Sequence, residues 1–198
     1  PPPGSTLFPY TTLFRSTPGF VVSEYGNIES VKSLINENTC CIMVEPIQGE
    51  AGIIIPPDGY LKQLRELCDK HNILLAFDEI QAGLGRSGKM FAYQYEDVVP
   101  DMVIIGKALS GGFYPVSAVL SNKEVLGVFG PGDHGSTFGG NPLGAAVATA
   151  ALAANKAVVA DGALVGGVDT VGAADAYLGA AATGTYTAGT VKVVINYV

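Results

Sequence analysis

The chain has 198 residues, 48% of them hydrophobic, and a formal net charge of −7 at pH 7. The length suits one domain or part of a larger one, and the hydrophobic content is ordinary for a globular core. An acidic chain without a basic stripe argues against a nucleic-acid partner, and no apolar run reaches membrane-spanning length. Three cysteines, Cys40, Cys41 and Cys68, argue against a disulfide framework because their number is odd and two are adjacent.

Residues 1–16 are predicted to be a leader of foreign origin. Residues 6–16, TLFPYTTLFRS, match the in-frame translation of a common sequencing adapter over eleven consecutive positions. A genuine proline-rich leader is the alternative. Segments added by processing or cloning do not belong to the fold, so we expect the natural protein to lack this leader.

Residues 17–155 alternate between predicted strands and helices. Apolar runs at 39–44, 73–77, 102–105 and 116–120 predict strands, and those at 73–77 and 102–105 are apolar enough to be buried on both faces. Residues 59–71 carry leucines at helical spacing. SNKE at 121–124 has the form of a capping box, and Asn141 before Pro142 predicts a helix that continues to residue 154. This alternation predicts an α/β fold with a mainly parallel sheet and helices on its faces.

The segment 156–198 differs in composition from the rest. It is rich in Ala and Gly and contains no arginine, and its last sixteen residues, TGTYTAGTVKVVINYV, have a β-type composition. Two interpretations stay open, an unrelated or frameshifted segment and a small β appendage. We therefore predict three parts: a leader at 1–16, a domain at 17–155 and a tail at 156–198.

Two residues at predicted strand ends indicate a function. Asp78 follows the apolar run 73–77, and Lys107 follows the run 102–106. Ligand sites of open α/β sheets form at the carboxyl ends of strands, where an acid and an amine can hold opposite ends of one aromatic cofactor. Pyridoxal phosphate needs such a pair, a carboxylate facing its ring nitrogen and a lysine amine for a Schiff base.

Each of these residues also has a simpler interpretation. Asp78 can cap a following helix, and Lys107 can be a solvated loop lysine. If Lys107 instead packs beside glycines and apolar residues, its amine becomes a usable nucleophile and base. Gln81, one helical turn after Asp78, can donate a hydrogen bond to a ring oxygen of the cofactor.

Two glycine-rich segments were considered as further sites. GLGRSG at 83–88 matches the dinucleotide-binding pattern, but its distance from the preceding strand and the missing helix favour a turn or interface loop. GSTFGGNP at 135–142 places hydroxyls and flexible backbone before a helix, which suits an anion site or an ordinary capped turn. The histidines and cysteines lack metal-ligand spacing.

Together these motifs resemble the class III (fold type I) pyridoxal-phosphate-dependent aminotransferases. The resemblance covers about residues 17–155 and rests on PGF at 18–20, VEPIQGEAG at 44–52, DEIQ at 78–81, GKALSGG at 106–112 and HGSTFGGNP at 134–142. YPVSAVL at 114–120 and GEAG at 49–52 favour the ornithine branch over acetylornithine and 4-aminobutyrate relatives. The resemblance implies that residues 17–155 form part of the family's large domain.

The resemblance implies a cofactor role for five residues. Lys107 would bind pyridoxal 5'-phosphate covalently and move the proton at the substrate carbon. Asp78 would pair with the pyridine nitrogen, and Gln81 would contact the ring hydroxyl. Ser136 and Thr137 would reach the phosphate of the neighbouring subunit's cofactor, so the family site depends on a homodimer.

The resemblance also implies the substrates. Ornithine would give its δ-amino group to 2-oxoglutarate, and the products would be glutamate and glutamate semialdehyde, which cyclises to pyrroline-5-carboxylate. Glu45 would lie in the active-site region. Glu50 would pair with a downstream arginine that opens or closes the site for the substrate carboxylate.

Some parts of the family site have no match in this chain. The family's main phosphate cradle, its stacking aromatic residue and its substrate-carboxylate arginine precede the region matched from residue 17, and the arginine partner of Glu50 follows it. Arg15, Arg65 and Arg86 fit none of these roles. We therefore expect little or no transaminase activity from the chain by itself. A non-catalytic binding fragment is the alternative from another class, and the compartment could be the mitochondrial matrix or the cytoplasm.

Overall fold

A computed structural model describes residues 19–160 and 192–194 of the chain. The helices are α1 (Ile28–Leu34), α2 (Tyr60–His71), α3 (Lys123–Leu126) and α4 (Pro142–Ala160). The strands are β1 (Cys41–Val44), β2 (Leu74–Asp78), β3 (Met102–Ile105), β4 (Ala118–Ser121) and β5 (Lys192–Val194), and 3₁₀ helices form at Ala92–Tyr95 and Lys107–Ser110. The predicted leader and most of the predicted tail lie outside the described residues.

The five strands form one sheet in the order β1-β2-β3-β4-β5. β1, β2 and β3 are mutually parallel, whereas β4 is antiparallel to β3 and β5 is antiparallel to β4. Parallel neighbours need a crossover connection, and α2 supplies the one between β1 and β2. The predicted α/β class with a parallel sheet is thus confirmed for the first three strands, and the sheet as a whole is mixed.

Two apolar clusters hold the helices to the sheet. The first joins α1 and α2 to β2 and includes the fully buried side chains of Leu64, Leu75 and Phe77. The second joins β3 and β4 to α4 and to the 3₁₀ helix that begins at Lys107, with Leu109 and Ala148 fully buried. Because both clusters lie against β2 and β3, the strand ends that carry Asp78 and Lys107 rest on a packed base.

The predicted elements agree with the structure except at their boundaries. β3 has the predicted bounds, α2 begins one residue later, and α4 begins at the predicted Pro142 but continues to Ala160. The predicted capping box at 121–124 is wrong, because Ser121 ends β4 and its hydroxyl donates to the Asp101 carbonyl. The N-cap of α3 is Asn122, whose Oδ1 accepts from the Val125 N–H at 2.9 Å.

No helix in the described ranges 19–160 and 192–194 has the length and hydropathy needed to cross a membrane. α4 runs through residue 155, where we predicted a boundary, without interruption. The division of the chain into three parts stays a prediction.

Candidate functional site

The carboxyl ends of β2 and β3 lie side by side because the two strands are parallel and paired. Asp78 ends β2 and is paired with Ile104, and β3 ends one residue later at Ile105. Lys107 therefore follows at the same edge of the sheet. The Oδ1 atom of Asp78 accepts from the Ile80 N–H at 3.0 Å, which orients the carboxylate. The structure brings the predicted acid and the predicted amine to one edge.

Lys107 begins a 3₁₀ helix in an unusual backbone conformation. Its φ is 43°, in the left-handed region that residues with a side chain seldom adopt. The Ser110 hydroxyl donates to the Lys107 carbonyl at 3.1 Å and helps to hold this turn. Nζ contacts the Gln81 Oε1 and lies 3.3 Å from the Glu50 Oε1. The lysine amine therefore meets two side chains that the sequence motifs singled out.

The surroundings of the Lys107 amine are polar. Of the two environments left open by the sequence, apolar packing and a solvated loop, the structure shows neither in pure form: the Lys107 side chain is 44% exposed, and its amine contacts an amide oxygen and a carboxylate. The reason is that Gln81 and Glu50 reach the amine from two separate turns, which local sequence does not reveal.

Glu45 and Glu50 lie in the segment that follows β1. The Glu45 Oε2 accepts from the Gly49 N–H at 3.1 Å, and the Tyr25 hydroxyl donates to the Glu45 carbonyl at 3.0 Å. A bridge between Gln48 and Ile54 closes a tight turn, and this turn presents Glu50 towards Lys107. The structure thus joins Glu50 to the strand-end site, while Glu45 holds the base of the turn.

Ser136 and Thr137 lie in an exposed loop before α4. Asn141 caps that helix, because its Oδ1 accepts from the Gly144 N–H at 2.8 Å. The capped helix start is confirmed, and the contact with a neighbouring subunit's cofactor stays a prediction. The segment 83–88 forms turns and a bend, in agreement with the predicted turn or interface loop.

Glu79 belongs to the site region but received no role from the sequence. Its side chain is 0% exposed, and its Oε1 accepts from the Tyr93 N–H at 2.9 Å. Burial raises the pKa of this carboxyl to about 7, although the nearby backbone N–H groups of Tyr93 and Ala92 act in the opposite direction. Side chains alternate across a strand, so the side chain after Asp78 could have been predicted to lie on the opposite face of the sheet.

Comparisons with known proteins match this part of the chain. The family profile described as aminotransferase class-III covers residues 17–174. The chain belongs to the class III aminotransferases. Ornithine aminotransferase 2 of Staphylococcus saprophyticus is 66% identical over 134 residues, which are 68% of this chain and 34% of the relative. The ornithine aminotransferase of Brevibacillus brevis is 63% identical over 136 residues, again 34% of the relative.

Solved structures of aminotransferases have the same fold. The ornithine δ-aminotransferase of Plasmodium falciparum superposes with a TM-score of 0.69 at 46% identity, covering 72% of this chain and 37% of that one. The acetylornithine aminotransferase of Elizabethkingia anophelis gives 0.67 at 52% identity, covering 73% and 37%. The chain thus spans about a third of the length of the relatives it matches.

The residues of the site suit pyridoxal phosphate, the usual cofactor of class III aminotransferases. A carboxylate at the end of β2 and an amine after β3 supply the two groups that such a cofactor needs, and the amide oxygen of Gln81 contacts the Lys107 amine. Gly112, past the lysine, leaves open space where a Cβ would stand. In the described residues, no group of His, Cys, Asp or Glu is arranged to hold a metal ion.

Proposed function

We propose that this chain forms part of the active site of a pyridoxal-phosphate-dependent aminotransferase acting on ornithine. The observation that carries the proposal is the contact of the Lys107 amine with the Gln81 amide at the strand end next to Asp78. Asp78 and Gln81 belong to the segment DEIQ at 78–81 and Lys107 to GKALSGG at 106–112, two of the motifs that resemble the class III family. The strong identity to proteins named ornithine aminotransferase supports the choice of amino donor.

Each residue then has a distinct task. When bound, pyridoxal phosphate supplies an electron sink for the substrate bond that breaks and carries the amino group between donor and acceptor. Asp78 keeps a proton on the ring nitrogen by its negative charge, and Gln81 orients the ring by a hydrogen bond. Lys107 anchors the cofactor and moves a proton at the reacting carbon of the substrate.

The proposed reaction has two half-reactions that balance in amino groups. Ornithine gives up its δ-amino group and leaves as glutamate semialdehyde, and 2-oxoglutarate accepts the amino group and leaves as glutamate. Glu50 would help to discriminate between the two substrates. Its carboxylate near the lysine repels the carboxylate of a substrate, and a substrate carboxylate can enter when Glu50 turns away. Ser136 and Thr137 would complete the cofactor site of a second subunit in a homodimer.

Acetylornithine is the second candidate for the amino donor. A solved acetylornithine aminotransferase is 52% identical to this chain, so the matched segment is compatible with both donors. Rates with ornithine, acetylornithine and 4-aminobutyrate on the full-length parent protein would separate them. We expect the highest kcat/KM for ornithine, and a preference for acetylornithine would change the assignment.

A titration of the chain with pyridoxal phosphate tests the site itself. We expect a visible absorption band that depends on Lys107, present in the wild type and absent in Lys107→Ala. Lys70→Ala is the matched control, because Lys70 is exposed in the last turn of α2. The same spectrum in Lys107→Ala as in the wild type would contradict the proposal.

A further inference from the structure

A buried carboxylic acid beside the site takes no part in the proposed reaction. Glu79 directly follows Asp78, and its side chain is 0% exposed. Its Oε1 accepts from the Tyr93 N–H, but its Oε2 is buried without a hydrogen-bond partner among the described residues. Buried polar atoms without a partner are rare in folded proteins and call for an explanation.

The backbone of Glu79 is also held at both ends. Its N–H donates to the Ile104 carbonyl at 2.9 Å, which extends the contact of β2 with β3 by one residue. Its carbonyl accepts from the Gly83 N–H at 2.9 Å and closes the turn of residues 78–83, here called the site turn. A Cβ on Gly83 would lie 2.7 Å from the Glu79 carbonyl oxygen and 3.1 Å from Oε2, so the site turn needs glycine there.

Glu79 thus joins three parts of the fold, namely β3, the site turn and the 3₁₀ helix Ala92–Tyr95. The site turn also carries Asp78 and Gln81, so a shift of Glu79 moves both. We propose that Glu79 is a positioning residue whose buried carboxyl locks the site turn to the neighbouring 3₁₀ helix and so sets where Gln81 meets Lys107. The inference rests on the proposed function in one respect only, namely that the ligand contacted by Gln81 is pyridoxal phosphate.

The lock contains a group that titrates near neutral pH. Burial raises the pKa of Glu79 to about 7. The N–H groups of Tyr93 and Ala92 lower this pKa, and the Asp78 carboxylate adds to the increase. The charge of Glu79 also acts on the Tyr93 phenol: burial, followed by this charge, raises the pKa of Tyr93 to about 12. The Tyr93 N–H therefore reports directly on the ionisation of Glu79, because an ionised acceptor forms a stronger hydrogen bond.

Nuclear magnetic resonance of the ¹⁵N-labelled full chain in a pH series across 7 tests the inference. In the wild type we expect the Tyr93 amide and the Gln81 side-chain amide to shift with one common midpoint near 7. In Glu79→Gln, which keeps an acceptor but cannot ionise, that titration should vanish. In Glu79→Ala, which loses the acceptor, the Gln81 resonances should be displaced at every pH.

Glu66→Gln is the matched control, because Glu66 is an exposed glutamate on α2 and its loss should leave the titration unchanged. A titration that persists in Glu79→Gln, or Gln81 resonances that coincide in Glu79→Ala and the wild type, would overturn the inference. If Glu79→Ala does not fold, the Glu79→Gln series decides. A wild type without a Lys107-dependent absorption band would reject the proposed function, and these cofactor-independent resonances would still decide the role of Glu79.

Discussion

The amine of Lys107 contacts two side-chain oxygens, the Oε1 of Gln81 and the Oε1 of Glu50, and the contact with Glu50 is the longer of the two. The carboxylate of Glu50 lies 3.3 Å away on a side chain that is 86% exposed. An ion pair so open to water contributes less than about 1 kcal/mol, so Glu50 can leave the lysine at little cost. This agrees with the proposal that Glu50 serves the choice between the two substrates.

The first prediction concerns the charge of Asp78. Asp78→Asn keeps an acceptor for the Ile80 N–H but removes the carboxylate that would face the ring nitrogen. We expect the affinity for pyridoxal phosphate to fall about tenfold to a hundredfold, because a hydrogen bond to a charged group contributes about 1.5–3 kcal/mol. An absorption titration measures it, with the exposed Asp58→Asn as control. Unchanged affinity in Asp78→Asn would exclude the pairing.

The second prediction concerns the pH dependence of stability. The pKa of Glu79 is about 7 in the folded chain, above its ordinary value of 4.5, so the folded state binds the proton more tightly. The stability that this proton contributes is therefore fully present below 4.5 and is lost as the pH rises through 7. From the pKa difference, the loss is on the order of 3 kcal/mol.

Urea unfolding of the wild type and Glu79→Gln at several pH values measures this loss. The difference between the two proteins isolates Glu79, because all other titrating groups are common to both. We expect that difference to change in favour of Glu79→Gln between pH 4.5 and pH 7. A difference that does not vary with pH would show that Glu79 ionises normally.

Strand register decides how Asp78 and Lys107 meet, and Asp101 helps to set that register. The Asp101 Oδ2 accepts from the Leu75 N–H at 2.7 Å and from Arg65 of α2 at 2.8 Å. The Asp101 N–H in turn donates to the Leu75 carbonyl at 2.8 Å. One residue thus connects β2, the start of β3 and the crossover helix.

The third prediction tests this connection. Asp101→Ala removes two hydrogen bonds and leaves the guanidinium of Arg65, which is only 19% exposed, without its better-buried partner. We expect unfolding to become easier by about 2–4 kcal/mol, since two hydrogen bonds to a charged acceptor are lost and the partly buried guanidinium keeps only an exposed partner. Denaturant unfolding measures the loss.

Asp69→Ala provides the control for the same guanidinium. Asp69 also pairs with Arg65, at 2.8 Å, but its side chain is 66% exposed. Its loss should cost less than about 1 kcal/mol, as for other exposed ion pairs. Equal losses in the two variants would show that the contacts of Asp101 with β2 carry no additional stability.

The elements themselves were largely predictable because their signals are local. The run at 102–105 is apolar and short, as is typical of a buried strand. The spacing of the leucines predicted α2. The N-cap of α3 could not be predicted in the same way, because Ser121 and Asn122 are both residue types that favour the N-cap position. Ser121 pairs with Met102 in the sheet and therefore belongs to β4, which leaves Asn122 as the N-cap.

At the scale of the molecule, several large apolar side chains face solvent. Ile53 is 85% exposed, Phe113 79% and Phe138 65%. Where such side chains adjoin one another, they mark sites of contact with other protein. The chain also spans only about a third of its relatives, so these side chains are the expected contacts with the rest of a longer subunit or with a second one.

The fourth prediction follows from the short stretch of the relatives, about a third of their length, that the chain matches. We expect the 198-residue chain alone to show little or no turnover of ornithine with 2-oxoglutarate. The family contacts to cofactor and substrate that the resemblance places outside residues 17–155 would then be missing, and each charge-assisted contact contributes about 1.5–3 kcal/mol. Formation of pyrroline-5-carboxylate measures the activity, with a full-length relative as the positive control. A rate that approaches that of the control would show that the matched third suffices.

The sequence by itself determined the family and the α/β class and singled out an acid, an amine and an amide as candidate site residues, because motifs and apolar runs are local properties. Only the tertiary structure decided what surrounds Lys107, which residue caps α3 and that Glu79 is a buried acid joining three elements. These depend on which turns meet across the sheet. Such meetings follow from pairing and packing between residues far apart in the chain, and local sequence does not specify them.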